Sequence, residues 1–309
     1  MDDSGIDLPD DRPLSGRFDG NDAATCRPNA LHYAPLDHDG VRARAARIVN
    51  WIAQAKPSLM VVDVSAEVAM LARLASVPTV YVRLGGERSD PAHLEAFRGA
   101  SAILAPFHAA LETDGTPDWV REKTFYVPGI ASLPACEETV ADRILVVFGQ
   151  GGRPGDGTLI AEAARACPHW QWRVIGPAVA PIDCPANLEF AGWVVRPEIE
   201  IARARIIVGG AGNGVVGAVM AADKPFICLP EDRPFQEQAA TGRGLKSWGA
   251  ALVLPEWPAG RFWPRLFEDV LDMPAAPRRA LYDPQAAQKV AAWLGQHADI
   301  SIKRAKVAA

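Results

Sequence analysis

The sequence predicts an α/β protein made of two Rossmann-like domains, each a doubly wound parallel sheet. From about residue 40 onward, short β-branched runs alternate with amphipathic helical segments. A Pro- and acid-containing stretch at 131–142 interrupts this alternation, and a second strand–helix series follows it. Two glycine-rich loops directly follow strands of the second series. We therefore predict an N-terminal domain at 1–134 and a C-terminal domain at 135–309.

The composition is that of an ordinary globular enzyme. Hydrophobic residues make up 49% of the 309 residues and charged residues 22%, which allows two sizeable cores. A net charge of −5 argues against nucleic-acid binding. No apolar run approaches the roughly 20 residues of a transmembrane span, and the acidic N-terminus lacks signal-peptide order. Five scattered cysteines without a C-x-x-C fit reduced thiols, so we expect a cytoplasmic protein. The sequence does not determine its oligomeric state.

The elements of the first half follow from periodicity. Residues 1 to about 40 are rich in Asp, Pro, Gly and Asn, which indicates irregular structure. Apolar residues at helical spacing from Val41 to Ile52 predict a helix, and 67–77 predicts another. β-Branched or apolar runs predict strands at Leu59–Val64, Thr79–Leu84, 101–106 and 124–129.

The second half repeats this alternation more regularly. Asp283 suits a helix N-cap and Pro284 a first helical position, so the chain is expected to end in a helix over 283–297. Strands are predicted at 143–148, 171–176, 187–193, 205–210, 225–230 and 250–255, and helices at 158–167, 198–204, 215–222 and 235–249.

Two glycine loops are expected to lie at the carboxyl edge of the second sheet, where parallel α/β sheets bind ligands. Glycines there allow close backbone approach to an anion, and the N-terminus of the next helix favours negative charge. Together the two loops favour a phosphate or diphosphate between them, although tight strand–helix turns explain each loop equally well alone. The loops are Gly149-Gln150-Gly151-Gly152-Arg153 and the G-x-G-x-x-G at Gly212, Gly214 and Gly217.

An NAD(P)-dependent oxidoreductase is one function that this glycine turn allows. Glu231 and Asp232 end the next strand, about where an acid would hold the adenosine ribose. Against this function, the dinucleotide fingerprint normally follows the first strand of its domain, and here it comes several elements later.

The segment from Gly209 to Leu254 resembles the donor-binding segment of GT-B glycosyltransferases. It is most similar to the family of the GlcNAc transferase that forms lipid II, family 28. "FGQGG" and "FAGWV" (Phe190 to Val194) match other loops of the same domain, so the resemblance covers 143 to about 256. The matching positions in the segment are Gly210-Ala211-Gly212, Lys224-Pro225, Leu229-Pro230, Glu237-Gln238 and Gly249-Ala250.

The resemblance implies two domains facing a cleft and a glycosyltransferase that moves a sugar from a nucleotide-diphosphate-sugar to an acceptor hydroxyl. Gln238 would bind sugar hydroxyls, with Gln236 as a further candidate, and Trp193 would offer its main chain to the base. No metal or cofactor is implied beyond the nucleotide sugar as co-substrate, because backbone N–H groups offset the leaving-group charge. The acceptor stays open among lipid-linked, glycan and small-metabolite hydroxyls. The implied donor-binding set is Gly149, Gln150, Gly151, Gly152, Arg153, Trp193, Val194, Gly210, Ala211, Gly212, Asn213, Gly214, Glu231, Glu237 and Gln238.

Two departures from the family pattern matter. Ala218 stands where the family usually carries a ribose-binding Glu, and Glu231 or Asp232 is a candidate substitute. The Gly-rich or His-containing opening loop of the N-terminal domain is missing, so that domain is expected to be incomplete at its start. A catalytically reduced, nucleotide-binding remnant is therefore a third possible function, and His32 and His38 are expected to be surface histidines.

Polar residues after the first strands are the acceptor-side candidates. Asp63 ends a predicted strand and is a candidate general base, or alternatively the N-cap of the next helix. Arg83 and Arg88 are candidates for bidentate contact with an acceptor phosphate. Asp90 belongs to the same loop, which alternatively is a solvated loop in which Asp90-Pro91 begins a helix.

Overall fold

The computed structural model describes residues 5–10, 25–130, 138–149 and 151–307. The first unit contains four short strands and the helices between them. Ser65 caps α2 by accepting a hydrogen bond from the Val68 amide, and Asp90 caps α3 in the same way. The elements are α1 (Asp39–Ala55), β1 (Met60–Asp63), α2 (Ala66–Leu74), β2 (Thr79–Val82), α3 (Pro91–Gly99), β3 (Ala102–Ala105), α4 (Asp118–Lys123) and β4 (Thr124–Tyr126).

The second unit carries the remaining strands and helices. Most lie where periodicity predicts them, although the short strands β6 and β8 and the helices α9 and α10 have no counterpart in the sequence prediction. The strands are β5 (Arg143–Val147), β6 (Gly155–Asp156), β7 (Gln171–Ile175), β8 (Ala178–Val179), β9 (Leu188–Gly192), β10 (Ile206–Gly209), β11 (Phe226–Cys228) and β12 (Leu252–Val253). The helices are α5 (Gly157–Ala166), α6 (Pro197–Arg203), α7 (Asn213–Ala221), α8 (Glu237–Trp248), α9 (Trp263–Asp272), α10 (Ala276–Ala280) and α11 (Ala286–Val307).

Both main sheets are entirely parallel, which confirms the predicted α/β class. The second sheet has the order β12-β11-β10-β5-β7-β9 and winds in both directions from β5. The first sheet has the order β1-β2-β3-β4, so within the described residues it winds in one direction only. The two glycine loops are neighbours because β5 and β10 pair directly, with Val147 opposite Gly209.

The last helix covers the first sheet. Ala286 and Val290 of α11 pack on Val80 and Leu104, and Trp293 stacks on Phe125 at 4.9 Å between ring centroids. Residues 286–299 therefore pack with the N-terminal sheet, although the predicted boundary assigns them to the C-terminal domain. That boundary, 134/135, lies outside the described residues. The helix also starts later than predicted, since the Asp283 carboxylate caps the Gln285 amide ahead of Ala286.

The two units share an apolar core. Phe107 and Leu111 of the first unit cluster with Val219 and Leu245 of the second. The two backbones approach each other closely at Gly86, whose φ of +100° is a conformation that favours glycine, and where a Cβ would collide with the backbone at Phe235 and Glu237. Among the described residues, no helix combines the length and apolarity needed to cross a membrane.

Candidate functional site

A cavity of 350 Å³ lies at the carboxyl edge of the second sheet, and we call it the α7 cavity. It opens between the first glycine loop, the loop after β9 and the N-terminal half of α7. These are the elements that the sequence predicts to meet around a ligand. Its lining residues are Ile130, Val147, Phe148, Gly149, Ile175, Gly176, Trp193, Val194, Pro197, Glu198, Ile201, Gly214, Val215 and Ala218.

The N-terminus of α7 is built to receive an anion. Gly212 is its N-cap and offers no side-chain oxygen to the first amides of the helix. The Asn213 Nδ2 atom is buried and has no hydrogen-bond partner among the described residues. Unpaired donors and the positive end of the helix dipole converge here, so an anion beside Gly214 would satisfy groups that are otherwise left without partners.

Gln238 holds the glycine turn from behind. Its Oε1 accepts hydrogen bonds from the Ala211 amide at 2.8 Å and the Glu231 amide at 3.0 Å. Its Nε2 donates to the Glu231 carboxylate at 3.1 Å, and the side chain is only 5% exposed. A Cβ at Gly210 would press on this amide. Gln238 therefore positions the turn: its Oε1 accepts two hydrogen bonds, whereas its Nε2 donates one of its two hydrogens to Glu231.

A second cavity of 410 Å³ lies on the other side of the first glycine loop, and we call it the α5 cavity. Arg153, Gly210 and Glu231 line it, together with Glu256 and Trp257. The predicted donor-binding residues that line a cavity are thus divided between two cavities that share Phe148, with Gly149, Trp193, Val194 and Gly214 on the α7 cavity and the other three on the α5 cavity.

Glu231 and the first glycine loop approach each other closely across this edge. A Cβ at Gly152 would overlap the Glu231 carboxylate, and the Arg233 guanidinium donates to the Gly151 carbonyl. These glycines are therefore needed for close approach, as predicted, but the group they approach is a protein side chain. Gln150 lies outside the described residues.

The segment before α8 joins the two units through unusual backbone geometry. Phe235 and Gln236 both have positive φ, at 58° and 49°, which is strained for residues with a side chain. The Phe235 carbonyl accepts a hydrogen bond from the Glu87 amide at 2.7 Å. Glu237 reaches the Arg88 guanidinium at 3.4 Å. The matching Glu237-Gln238 pair is thus held between the glycine turn and the first unit.

A histidine cluster lies against Phe235, formed by His32, Asp90 and His93. His32 Nε2 lies 2.8 Å from one Asp90 oxygen and His93 Nδ1 lies 2.6 Å from the other. The two imidazoles are 4.3 Å apart between centroids, and Phe235 lies 5.5 Å from His32 and 4.7 Å from His93. The expectation that His32 is a plain surface histidine is wrong, because the fold brings it onto the α3 N-cap.

Arg88 fixes the protonation pattern of this cluster. Its Nη1 lies 3.0 Å from His93 Nε2, and a guanidinium can only donate, so Nε2 accepts and Nδ1 carries the hydrogen that Asp90 accepts. Burial lowers the pKa of His93 to about 4 and keeps the ring neutral. Burial raises the pKa of Asp90, but hydrogen bonds from His93 and His32 outweigh it and lower that pKa to about 2.

These assignments also bear on the tautomer of His32. The ionised Asp90 carboxylate accepts from His32 Nε2–H, so Nδ1 is the nitrogen that carries no hydrogen in that tautomer. The side chains of His32 and Asp90 are each 30% exposed. The three side chains also offer ligand atoms within 4.8 Å of one another, the spacing of a metal site. The hydrogen that Arg88 holds on His93 Nδ1 opposes metal binding at that atom.

The predicted acceptor-side arginines do not face a cleft. Arg83 is 1% exposed, pairs with the buried Glu112 carboxylate, and lies near the Tyr126 hydroxyl at 3.3 Å. Arg88 is 6% exposed and donates to the Leu84 and Gly85 carbonyls besides its contacts with His93 and Glu237. Both guanidinium groups are buried and paired with protein carboxylates, although the buried Arg83 Nε has no hydrogen-bond partner among the described residues.

Asp63 and Asp90 differ in how far they are bound into the fold. Asp63 is exposed at the end of β1, its carboxylate forms no hydrogen bond or ion pair with the described residues, and Ser65 rather than Asp63 caps α2. Asp90 begins α3, the alternative that its Pro91 suggested, and also holds the histidine cluster. The sequence signal for this pair was spacing, because Asp90 is the N-cap of α3 and His93 is the third residue of the same helix. Nothing in the sequence links His32 to it.

The chain is similar to other proteins in structure but not in sequence. No protein-family model matches the chain, and no curated protein sequence is similar to it. A solved structure of the spinosyn rhamnosyltransferase SpnG complexed with thymidine diphosphate matches 77% of this chain and 72% of its own, with TM-score 0.56 and 18% identity. The kitacinnamycin glycosyltransferase structure matches 84% and 80%, with TM-score 0.63 and 14% identity.

The lipid II family predicted from the sequence is also represented. MurG of Acinetobacter baumannii matches 85% of this chain and 80% of its own, with TM-score 0.54 and 17% identity. All of these neighbours are glycosyltransferases, so the oxidoreductase alternative gains no support. Together with the two parallel sheets, whose units share an apolar core, these matches show that the chain has the GT-B fold.

Proposed function

We propose that the chain is a glycosyltransferase that moves a sugar from a nucleotide-diphosphate-sugar to an acceptor hydroxyl. The observation that carries this proposal is the uncapped N-terminus of α7, which opens into the α7 cavity between two glycine loops. SpnG, a structural neighbour, is complexed with thymidine diphosphate. The acceptor of the present chain, lipid-linked or otherwise, stays open in this proposal.

The donor would lie along α7. Its diphosphate would accept hydrogen bonds from the first amides of the helix and from Asn213 Nδ2, the buried donor without a partner. The base would lie against the loop at Trp193 and Val194, on the far wall of the α7 cavity. In this arrangement the helix dipole and the amides stabilise the negative charge of the leaving diphosphate, so the proposed step uses no metal.

The reaction would be a direct displacement at the anomeric carbon. The acceptor oxygen forms a bond to that carbon as the bond from the carbon to the β-phosphate oxygen breaks. The acceptor proton passes to a general base, and the nucleoside diphosphate leaves with the electron pair of the broken bond.

His32 is our preferred base, and Asp63 is the alternative. His32 Nδ1 is the basic nitrogen of a ring held by an ionised carboxylate, and the ring contacts Phe235 beside the Glu237-Gln238 pair. Gln238 in turn bonds the α7 turn at Ala211, so the imidazole and the proposed diphosphate site belong to one contiguous network. Asp63 has no comparable connection among the described residues.

The donor site is tested by placing a negative charge at Gly214. This glycine is exposed at the start of α7 and a Cβ there meets no atom within 4 Å, so Gly214→Asp should fold. An acid in the first turn also favours the helix dipole. We expect the thermal midpoint to hold while the Kd of nucleoside diphosphates, measured by calorimetry, rises at least tenfold by charge repulsion.

Gly115→Asp is the matched control, because it adds the same charge in a loop of the first unit where a Cβ also meets nothing. It should leave the Kd unchanged. Titrations with UDP, dTDP and GDP, run in parallel with NADH, distinguish a nucleotide-sugar site from a dinucleotide site. Binding of NADH but of no nucleoside diphosphate would overturn the proposed function, as would equal effects of the two substitutions.

A further inference from the structure

We infer that the α5 cavity is a second ligand site, which takes an apolar molecule carrying a cationic amino group. The inference goes beyond the proposed function and does not depend on it, because the proposed nucleotide lies in the α7 cavity. The α5 cavity has a volume of 410 Å³, which is ample for a small molecule, and the proposed transfer step uses none of its side chains.

The two cavities lie on opposite faces of the second sheet. Successive residues of a strand point to opposite faces. Val147 of β5 lines the α7 cavity and belongs to the core cluster that contains Ile175 and Ile201. The preceding residue, Val146, lines the α5 cavity and belongs to the other core cluster, with Ile160. A nucleotide along α7 therefore leaves the α5 cavity free for a different ligand.

The interior of the α5 cavity is apolar. Val208 of β10 lines it, as do Phe148 and Leu229, which directly follow β5 and β11. Trp257 lines it beside α5, where the indole N–H donates to the Leu159 carbonyl at 3.2 Å. An indole held in this way adds apolar area and attracts a cation placed over its face. The cavity therefore favours a ligand with an apolar body.

Negative charges outnumber positive ones among the polar lining residues. Asp156, Glu231 and Glu256 carry carboxylates, whereas Arg153 is the cation among the described lining residues. None of these four side chains forms an ion pair with another described residue.

The three carboxylates differ in how free they are to meet a ligand. Asp156 accepts hydrogen bonds from the first amides of α5, and Glu231 accepts one from Gln238. Glu256 is exposed, and its carboxylate forms no hydrogen bond with the described residues. A surplus of unpaired negative charge beside an apolar interior favours an ammonium group over a neutral or anionic one.

The test is calorimetric titration of the intact chain with octylamine, 1-octanol and octanoate. These probes share the same length of chain, and at neutral pH they carry a positive charge, no charge and a negative charge, respectively. We expect octylamine to bind on the order of tenfold more tightly than octanol, because only the ammonium ion gains the carboxylate contacts. Octanoate should bind most weakly.

Substitutions that change charge and little else assign the binding to the α5 cavity. Glu256→Gln should weaken octylamine about fivefold and leave octanol unchanged. Adding Asp156→Asn, which keeps a side-chain cap for α5, should remove most of the remaining preference. Arg153→Gln should have the opposite effect and tighten octylamine. Glu162→Gln is the matched control and should change nothing, because this exposed residue of α5 lines neither cavity.

The wild-type series decides the inference even if no variant folds. Equal binding of octylamine and octanol, tighter binding of octanoate, or binding of no probe overturns it. Displacement of octylamine by UDP would place the amine in the α7 cavity and would also overturn it, as would equal effects of Glu256→Gln and Glu162→Gln. Failure of nucleoside diphosphates to bind counts against the proposed function alone, since the probe series needs no nucleotide.

Discussion

Arg83 and Arg88 follow the same strand five positions apart, and their surroundings differ in kind. Both are buried, and burial lowers the pKa of each. Arg83 pairs with Glu112 and Tyr126, which belong to the first unit. Arg88 contacts His93 in the first unit and Glu237 in the second, and its guanidinium lies 5.1 Å from the Phe235 ring centroid.

The difference separates a stabilising ion pair from a site network. The Arg83 guanidinium has its counterion inside one unit, and removing one partner of such a buried pair leaves the other charge uncompensated and destabilises the fold. Arg88 instead sets the tautomer of a histidine whose carboxylate partner orients a second, half-exposed histidine. Perturbing the Arg83 pair should therefore change stability alone, whereas perturbing the histidine cluster should change activity and pH dependence.

The largest expected effect is on stability, from Arg83→Leu. Removing one partner leaves the Glu112 carboxylate, 2% exposed, without its counterion, which costs about 3–5 kcal/mol of unfolding free energy. Urea unfolding followed by fluorescence measures this loss. Nucleoside diphosphate affinity of the protein that remains folded should be unchanged, since Arg83 lines neither the α7 cavity nor the α5 cavity.

Arg98→Leu is the control for that substitution. Arg98 forms an exposed pair with Glu95 and lies over the Trp119 ring, so its loss should cost no more than about 1 kcal/mol. Similar midpoints for the two variants would contradict the assignment of Arg83 as the stabilising member of the comparison.

His32→Gln should give the next largest effect, a loss of donor-sugar turnover of about 10²-fold or more with unchanged donor affinity. Glutamine keeps a donor for Asp90 but has no basic nitrogen, and the site is half-exposed, so folding should tolerate it. Asp63→Asn is the paired variant. Full activity in His32→Gln together with a comparable loss in Asp63→Asn would transfer the role of base to Asp63.

Much of the fold was readable because local pattern determines it. The strand before Gly209, the turn and α7 follow from an apolar run that ends in glycines. The winding of the first sheet was not readable, because periodicity does not tell which edge the next strand joins. The packing of Trp293 on the first sheet was hidden for a similar reason, since an amphipathic helix does not specify which sheet it covers.

The site was predictable only where one segment carries it. The glycine turn and Asn213 lie together in sequence, so their meeting at one helix N-terminus followed from spacing. His32 was missed because its partner Asp90 is 58 residues away, and proximity across that separation depends on tertiary folding. Arg88 was misjudged because a polar Gly-containing loop indicates exposure, whereas here Phe235 of the other unit covers it.

The smallest effect is a change in acid stability from His93→Gln. His93 is neutral in the folded state because burial lowers its pKa to about 4, whereas its unfolded value is near 6.5. Between these pH values the unfolded chain binds one more proton at His93 than the folded chain does. The free energy of unfolding is therefore highest above pH 6.5 and falls as pH drops toward 4. Asp90 acts in a lower window, since its stabilisation is lost only as pH falls from about 3.8 toward 2.

We therefore follow the free energy of unfolding by urea titration between pH 7.5 and pH 4.5. As pH falls, this free energy should decrease by about 2 kcal/mol less in His93→Gln than in wild type. Each variant is compared with its own value at pH 7.5, so the packing cost of the substitution cancels. Arg88, Asp90 and His32 all face the His93 ring and stay in place in this variant. Parallel pH profiles for the two proteins would mean that His93 gains no extra proton on unfolding. That result would contradict the neutral tautomer of His93 that Arg88 holds, and with it the orientation of Asp90 toward His32.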